Sequence, residues 1–369
     1  MKPSHIGNIP KKSASTIITR RISNPAKNNF FNYQILFLKR KSSLSWGNNY
    51  AFPGGVTDDS DYQDCDFVMG ENYPTLDAKY LNGKKITALR ECLEETGLYF
   101  SKTTIESHIM KAKLAELLGK HENIEKLLFR DLITVIEPDM DNLTEFVRLI
   151  TVPFLKRRYD TQFFLTEVSE EKTLNIYSAK ENIENINDHH KLLINLEESS
   201  EFKWMSPPES LNLFLNKEIE LAPPQFMILN ILMSFKELDG VHEFLQKAKN
   251  KRHSVLNQSA LDFPVMICLI DNNEPDTKTK YRYLGMFPED PEYPVQKMLQ
   301  FEKCEVLKAE LNEKYHNRKV DPAVRSRIYF TDVQATNFFT EYGTNFKMED
   351  CSPMKFLKSQ DVLKSMLQQ

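Results

Sequence analysis

Alternation of apolar and polar residues predicts β-strands along the first two thirds of the chain. The pattern has the period of two that places successive side chains on opposite faces of a sheet. It runs over residues 13–18, 33–38, 159–168, 192–196 and 202–205. These segments predict a sheet that has to be covered by apolar helix faces.

Apolar residues at every third or fourth position predict helices between these strands. They run over residues 87–96, 102–130, 142–149, 207–215 and 224–235. Gly97 follows the first of them, and glycine is common just past the end of a helix. Residues 56–85 are rich in Asp, Asn and Tyr and predict an irregular surface excursion before that first helix.

The last third of the chain, residues 236–369, predicts a mixture of the two element types. Strand patterns occur over 265–270, 280–285 and 328–331, and helical patterns over 307–315 and 356–367. No internal repeat is found along the chain. This part therefore predicts an α/β extension.

Length and composition limit the class of protein. A chain of 369 residues with 41% apolar residues can form one elaborated domain or two. The net charge of −4 gives no whole-protein attraction to nucleic acid. No apolar run is long enough to span a bilayer. Five scattered cysteines without a C-x-x-C pair argue against disulfides and a cysteine zinc site, and favour a reducing compartment.

The first 57 residues contain no Asp or Glu but nine Lys and Arg. A basic, acid-poor and serine-containing N-terminus is typical of a mitochondrial transit segment. The alternative is a solvated tail, residues 1–12, that leads into the first strand. We expect a mitochondrial location, with a peroxisomal or cytosolic one as the alternative.

The segment that indicates chemistry is Arg90-Glu91-Cys92-Leu93-Glu94-Glu95-Thr96-Gly97-Leu98. On a helix, Glu91 and Glu95 lie one turn apart with Glu94 between them, so three carboxylates converge. Such a cluster is unfavourable unless a cation neutralises it, and oxygen ligands suit Mg²⁺ or Mn²⁺. Arg90 precedes Glu94 by four residues and can hold its carboxylate. The alternative is a surface helix with a solvated acidic face.

At these residues the chain resembles the Nudix box, G-x5-E-x7-R-E-U-x-E-E-x-G-U, where U is bulky and apolar. The second half matches fully. The first half matches only if Gly55, after Phe52-Pro53, is its glycine and Asp61 replaces its glutamate. An insertion of about twenty residues in the box loop explains this split, because surface loops tolerate insertions.

The split box is similar to one branch of this superfamily, the long acyl-coenzyme A diphosphatase-like proteins of mitochondria and peroxisomes. Flanking motifs extend the resemblance over most of the chain. They are Ile35-Leu36-Phe37-Leu38-Lys39-Arg40, Pro153 with Arg157-Arg158-Tyr159-Asp160-Thr161, Trp204-Met205-Ser206-Pro207, Leu221-Ala222-Pro223-Pro224-Gln225 and Phe287-Pro288-Glu289-Asp290-Pro291.

The resemblance implies an α/β (α+β) fold, a Nudix mixed-sheet α/β/α sandwich with a helical insertion and a C-terminal α/β extension. The Nudix domain would cover residues 13–235, with a box-loop insertion at 56–85 and a helical insertion at 99–150. Residues 236–369 would form the extension.

The resemblance also implies the roles of the box residues. Glu91, Glu94 and Glu95, with the Gly55 carbonyl, would hold Mg²⁺ or Mn²⁺, and one glutamate would act as general base. Arg90 would support the catalytic carboxylates. A further acidic residue outside the box is usual in the family, and Glu167, Glu197 and Glu198 remain equal candidates.

The implied activity is metal-dependent hydrolysis of a diphosphate linkage in a coenzyme A ester or another nucleoside diphosphate derivative. Its phosphates would meet Lys39, Arg40, Arg157 and Arg158, since guanidinium groups bind phosphate well. Alternatively these residues are solvated strand ends. The chain lacks the basic and glycine pattern of shorter coenzyme A-specific relatives between Arg40 and Phe52. The rival function is a Nudix-fold structural or binding subunit with protein partners in a larger assembly, for example a mitochondrial one.

Overall fold

The computed structural model describes residues 10–254 with short gaps, and five strands beyond them. The gaps cover residues 23–30, 44–46, 71–72, 105–107, 121–126, 152–156, 182–191, 193–194 and 196. The segment predicted as a strand at 192–196, the helices predicted at 307–315 and 356–367, and the motif at 287–291 lie largely or wholly outside the described residues. No helix in the described part of the chain combines the length and apolar composition that crossing a membrane requires.

The first ten strands are β1 (Lys11–Arg21), β2 (Tyr33–Arg40), β3 (Asn49–Ala51), β4 (Gly54–Val56), β5 (Leu98–Phe100), β6 (Thr144–Ile150), β7 (Tyr159–Glu167), β8 (Thr173–Asn175), β9 (Ser199–Met205) and β10 (Glu220–Leu221). The helices are α1 (Asp59–Met69), α2 (Leu76–Thr96), α3 (His108–Lys120), α4 (Phe129–Ile133), α5 (Ile176–Glu181), α6 (Pro207–Leu215), α7 (Pro223–Leu232) and α8 (Leu238–Ser254). Later strands are β11 (Asp262–Pro264), β12 (Met266–Leu269), β13 (Tyr283–Met286), β14 (Ser326–Phe330) and β15 (Phe338–Tyr342).

A mixed sheet of nine strands forms the centre of the fold. Its main order is β10-β3-β2-β1-β7-β6-β11, with β4 paired to β1 and β9 paired to β2. Strands β1 and β7 run parallel, whereas β1 and β2, β2 and β9, and β6 and β7 run antiparallel. Strands β12 to β15 form a separate antiparallel sheet within the C-terminal part.

The two faces of the large sheet bury different cores, as the alternation in the sequence predicts. On β2, Phe37 packs with α6, α7 and α8, whereas its neighbour Leu36 packs with α1 and α2. On β7, Phe163 belongs to the same core as Phe37, and Phe164 belongs to the same core as Leu36. The fold is therefore an α/β/α sandwich, which confirms the predicted fold class.

Residues 144–150 form strand β6, where a helical turn is predicted over residues 142–149. The register of β6 against β7 shifts between Glu145 and Val147, which marks a β-bulge. Because of this irregularity Phe146 and Val147 are both buried in one core cluster. A bulge breaks the period of two, and the resulting spacing resembles that of a helix. For the same reason the predicted 99–150 insertion is only partly helical.

Residues 56–85 are largely helical, which corrects the irregular excursion predicted there. Helix α1 fills residues 59–69, and α2 begins at Leu76, eleven residues before the predicted start at residue 87. The hydroxyl of Thr75 accepts a hydrogen bond from the Ala78 amide and so caps α2. The two helices pack on each other as a hairpin that leads into the acidic end of α2.

The hydrophobic core extends past the boundary predicted at residue 235. Leu238, Val241 and Leu245 on α8 are between 0% and 2% exposed and pack in the same cluster as Phe37 and Phe163. At the other end, β1 begins at Lys11, so Lys11 and Lys12 belong to the sheet and not to the predicted 1–12 tail.

Candidate active site

A tight turn between β3 and β4 forms one wall of the site. Gly54 pairs with Ser15 and Gly55 pairs with Ala14 across β1. A Cβ atom on Gly54 would lie 2.4 Å from the Ala14 carbonyl oxygen, and one on Gly55 would lie 2.3 Å from a carboxylate oxygen of Glu91. Only glycine lets the turn come this close to the strand and to α2.

Helix α2 forms the opposite wall and ends where the sequence predicts. Gly97 adopts a left-handed conformation (φ 73°) and its amide donates to the Leu93 carbonyl. The Gly54 amide donates to Glu95 Oε2 at 2.9 Å, so the turn and the helix are joined directly. The last two turns of α2 therefore present their carboxylates to the Gly54–Gly55 turn.

Arg90 lies at the centre of a network that joins α1 to the acidic end of α2. Its Nε and Nη2 donate to the two oxygens of Asp61 at 2.8 and 3.2 Å, and Nη2 also donates to the Val56 carbonyl. Its Nη1 lies 2.9 Å from both Glu91 and Glu94. Asp61 is fully buried. Asp61 stands where the split box places its first acid, and it is thus the main partner of Arg90.

Glu91 is a buried carboxyl with an altered acidity. Burial raises its pKa, and repulsion by Glu94 and Glu198 acts in the same direction, whereas the positive charge of Arg90 lowers it. The resulting pKa is about 7. Its side chain is only 13% exposed. A carboxyl with a pKa near neutrality can accept or hold a proton under physiological conditions.

Glu95 and Glu94 share this environment to different degrees. Glu95 is 5% exposed, and burial together with the nearby charge of Glu91 raises its pKa well above the ordinary value. Burial also raises the pKa of Glu94, although Arg90 opposes the shift and its side chain is 42% exposed. The three glutamates therefore form a gradient from the buried base of the site to its open edge.

Glu198 is a fourth acid at the same place. It contributes to the raised pKa values of Glu91, Glu94 and Glu95. Its backbone is held on two sides: its carbonyl accepts from the Lys41 amide at the end of β2, and its amide donates to the Asn195 carbonyl. The Asn195 amide in turn donates to the carbonyl of Glu95.

The other two candidates for an acid outside the box lie elsewhere. Glu167 accepts hydrogen bonds from Arg21 at 2.6 and 3.3 Å and lies 3.7 Å from His242, beside α8. Glu197 and Glu198 are both exposed in the turn before β9, and the charge of Glu198 is among the main causes that raise the pKa values of the three box glutamates. Of the three candidates, Glu198 is the one whose charge acts on the box glutamates.

Comparison with known proteins agrees with this geometry, although no protein-family model matches the chain. It is 26% identical over 211 residues to putative nudix hydrolase 7 of Caenorhabditis elegans (56% of this chain, 58% of that protein). It is 26% identical over 181 residues to acyl-coenzyme A diphosphatase NUDT19 of Gallus gallus (48% and 40%), and 23% identical over 265 residues to the Xenopus laevis protein of the same name (59% and 64%). The chain thus covers less than two thirds of each of these relatives.

The chain is similar to Nudix superfamily proteins. The curated relatives include acyl-coenzyme A diphosphatases, which agrees with the branch that the split box and the flanking motifs indicate. A solved Nudix hydrolase from Alicyclobacillus acidocaldarius aligns with 63% of this chain and 94% of its own, with a TM-score of 0.43 and 19% identity.

The basic residues at the end of β2 lie on opposite faces of the Nudix sheet. Lys39 lies 3.7 Å from Glu201 and 5.8 Å from the centre of the Tyr50 ring, on the side away from α2. Arg40 follows it and acts on the α2 side, where its charge opposes the burial that raises the pKa of Glu95. Because side chains alternate along the strand, Arg40 lies on the side of the box glutamates and Lys39 lies on the other side.

Arg157 and Arg158 precede β7, at a distance from the Nudix box. Arg158 is buried and its Nε donates to the Thr151 carbonyl at 3.1 Å, whereas Arg157 is exposed. Since β7 starts opposite Lys11 and Gly55 pairs with Ala14, the two arginines lie roughly 13 Å from the turn along the strand direction. Their assignment as phosphate ligands stays a prediction.

The Nudix box offers oxygen donors of the kind that hard divalent cations bind. Within the described ranges, no three acidic, histidine or cysteine side chains are already arranged around one point. Instead, Arg90 and the Gly54 amide hold the carboxylate oxygens. The chemistry of the set still fits a cation, because buried carboxylates with raised pKa values lose their mutual repulsion when a positive charge lies among them.

Proposed function

We propose that this chain is a metal-dependent hydrolase that cleaves a diphosphate linkage with water. The observation that carries the proposal is a group of four acids beside the Gly54–Gly55 turn. Glu95 accepts from the Gly54 amide, Glu91 lies against Gly55, and the charges of Glu94 and Glu198 raise the pKa of Glu91. Placing four acids close together, with Glu95 buried and Glu91 only 13% exposed, is unfavourable for stability, so the arrangement is expected to serve chemistry. The names of the curated relatives, a nudix hydrolase and acyl-coenzyme A diphosphatases, support the same reaction class.

The carboxylates would hold Mg²⁺ or Mn²⁺, with the Gly55 carbonyl as a further oxygen ligand. Bound there, the ion would polarise phosphoryl oxygens and lower the pKa of a water molecule. The hydrolysis itself adds water across one phosphorus–oxygen bond of the diphosphate and releases two phosphate-bearing fragments.

The chain's own groups would orient and deprotonate the attacking water. One of the box glutamates would accept the proton at a carboxylate oxygen, and Glu91, which lies against Gly55, is a candidate. Arg90, fixed by Asp61, keeps the carboxylates of Glu91 and Glu94 in place. The Gly54 amide holds Glu95 in the same way. Each of these contacts restricts a rotamer before substrate arrives.

For substrate we propose a coenzyme A ester or another nucleoside diphosphate derivative. Two curated relatives are named acyl-coenzyme A diphosphatase. Arg40 is the basic residue that acts at the box, and a guanidinium group can pair with a phosphate through two hydrogen bonds. Arg157 and Arg158 would meet only the outer parts of a long substrate, and Lys39 lies on the other face of β2.

The test is incubation of the full chain with Mg²⁺ and a panel of coenzyme A esters, dinucleotides, ADP-ribose and NADH, with products identified by mass. We expect cleavage inside the diphosphate that EDTA abolishes. If a folded chain cleaves none of them, the hydrolase proposal fails and a binding role in a larger assembly becomes the better account.

We further propose a mitochondrial location from the acid-free first 57 residues. Much of that basic charge lies in the folded strands β1 and β2, at Lys11, Lys12, Arg20, Arg21, Lys39 and Arg40. A cleaved targeting segment would therefore have to end before Lys11. Import into isolated mitochondria, with and without residues 1–10, tests this, and a purely peroxisomal or cytosolic distribution would contradict it.

A further inference from the structure

A buried group of charges joins α2 to the sheet two helical turns before the box glutamates. Lys84 is 7% exposed, and its Nζ donates to Asp160 Oδ1 at 3.1 Å and to the Asp160 carbonyl at 3.2 Å. Asp160 also accepts from Arg148 Nε and Nη2 at 2.7 and 2.9 Å. None of these three residues belongs to the Nudix box.

The geometry of α2 relates this group to the site. Lys84, Ala88, Glu91 and Glu95 follow one another at spacings of four, three and four residues, so they share the helix face that meets the sheet. Lys84 and Glu91 are seven residues apart, about 10 Å along the helix. Rotation of α2 at Lys84 would therefore turn Glu91 and Glu95 relative to the Gly54–Gly55 turn.

Helix α2 is held by its buried apolar side chains and by the Arg90–Asp61 pair, and polar bonds on the face that carries Glu91 and Glu95 add to this hold. On the same face, the Thr16 hydroxyl donates to the Ala88 carbonyl at 3.4 Å, a long bond, and the Gly54 amide donates to Glu95. The Lys84–Asp160 pair is buried, and Arg148 donates to both carboxylate oxygens of Asp160. It is the charged contact on this face that lies outside the acidic cluster itself.

We propose that Lys84 and Asp160 are positioning residues, which set the rotation of α2 and so the placement of Glu91 and Glu95 for metal binding. This inference rests on the proposed function. It also gives a role to Asp160 in the segment Arg157-Arg158-Tyr159-Asp160-Thr161.

The test compares Lys84→Met with Lys85→Met in the full chain. Methionine matches the length of the lysine stem without its terminal amine and so removes the charge. Asp160 keeps its two bonds to Arg148, so the Lys84 variant leaves no carboxylate without a cation. Lys85 is the matched control, because its Nζ also tethers α2, with a hydrogen bond to the Met140 carbonyl at 2.7 Å, but on another face of the helix.

The measurements are Mn²⁺ affinity by titration calorimetry, kcat for hydrolysis, and melting temperature. Lys84→Met is expected to weaken Mn²⁺ binding at least fivefold and to lower kcat at least tenfold, while Lys85→Met stays within twofold of wild type at a similar melting temperature. If Lys84→Met fails to fold, Lys84→Gln, which keeps a donor for the Asp160 carbonyl, takes its place.

Equal changes in Mn²⁺ affinity and kcat for the Lys84 and Lys85 variants would overturn the positioning role and leave the hydrolase proposal intact. A folded wild-type chain that binds no Mn²⁺ would overturn the proposed function, and this inference with it.

Discussion

Glu91 couples the stability of the metal-free protein to pH. Burial raises its folded-state pKa to about 7, whereas the carboxyl of an unfolded chain titrates near about 4.3. The protonated form therefore favours folding. This contribution is fully present below about pH 4 and is lost as pH rises through about 7, to a total on the order of 3 kcal/mol.

We therefore expect the unfolding free energy in EDTA to fall between roughly pH 5 and pH 7. Glu91→Gln should flatten that fall, because glutamine does not titrate. Glu116→Gln on α3, where Glu116 pairs with Lys120 at the surface, serves as the control. Urea titrations across the pH range measure the effect, and the same slope for Glu91→Gln and wild type would refute it.

Arg40 provides a test of substrate choice at the same scale. Arg40→Glu should raise KM for coenzyme A esters more than for diphosphates that lack a 3′-phosphate, by roughly tenfold in the ratio. The difference should shrink at high salt, since exposed charges are screened. Lys39→Glu, on the other face of β2, is the control. Equal effects on both substrate classes would indicate a general diphosphatase.

Single residues were predictable from the sequence where spacing along one helix decides their placement. Glu91, Glu94 and Glu95 are brought together by helix geometry alone. Glu198 follows Glu95 by about a hundred residues and only the sheet places it there. Its neighbour Glu197 and the distant Glu167 have equal standing in the sequence, so periodicity could not separate the three.

Among the elements, α1 is the one whose role the sequence indicated least. The Asp-rich composition of residues 56–85 suggested a loop, because Asp is unfavourable inside helices. In the structure Asp61 forms the capping box of α1, with its Oδ2 accepting from the Asp58 amide and from the Thr87 hydroxyl. A long-range bond to α2 thus offsets low helix propensity, which no local pattern shows.

Helix α1 should consequently be required for the site and is not a removable insertion. Asp61→Asn removes the charge from a fully buried partner of Arg90 and is expected to cost about 3 kcal/mol of stability. Asp59→Asn, exposed in the first turn of the same helix, should cost little. Thermal unfolding of both variants measures this. Similar melting temperatures for the two would show that the Arg90–Asp61 pair is dispensable.

For the whole molecule, the position of α8 defines how much of the chain the Nudix core needs. The sequence suggested a boundary at residue 235, since residues 238–254 have many charged positions. Leu238, Val241 and Leu245 are nevertheless buried against the sheet. Burial of three such side chains contributes on the order of 5 kcal/mol, comparable to the net stability of a domain.

Truncation tests this boundary directly. A chain ending at residue 265, after β11, is expected to unfold cooperatively with a melting temperature near that of the full chain. A chain ending at residue 235 should be unfolded or aggregated. Circular dichroism during heating distinguishes the two, and a cooperative transition for the shorter chain would show that α8 is not part of the core.

The central claim is that the acidic end of α2 binds the metal that cleaves a diphosphate. The most direct measurement is the Mg²⁺-dependent kcat of Glu91→Gln and Glu95→Gln on whichever diphosphate the wild-type chain cleaves. Each change removes one anion without altering side-chain volume, so the account predicts at least a hundredfold loss of kcat, roughly 3 kcal/mol, with melting temperatures in EDTA unchanged or higher. Hydrolysis near the wild-type rate by either folded variant would contradict it.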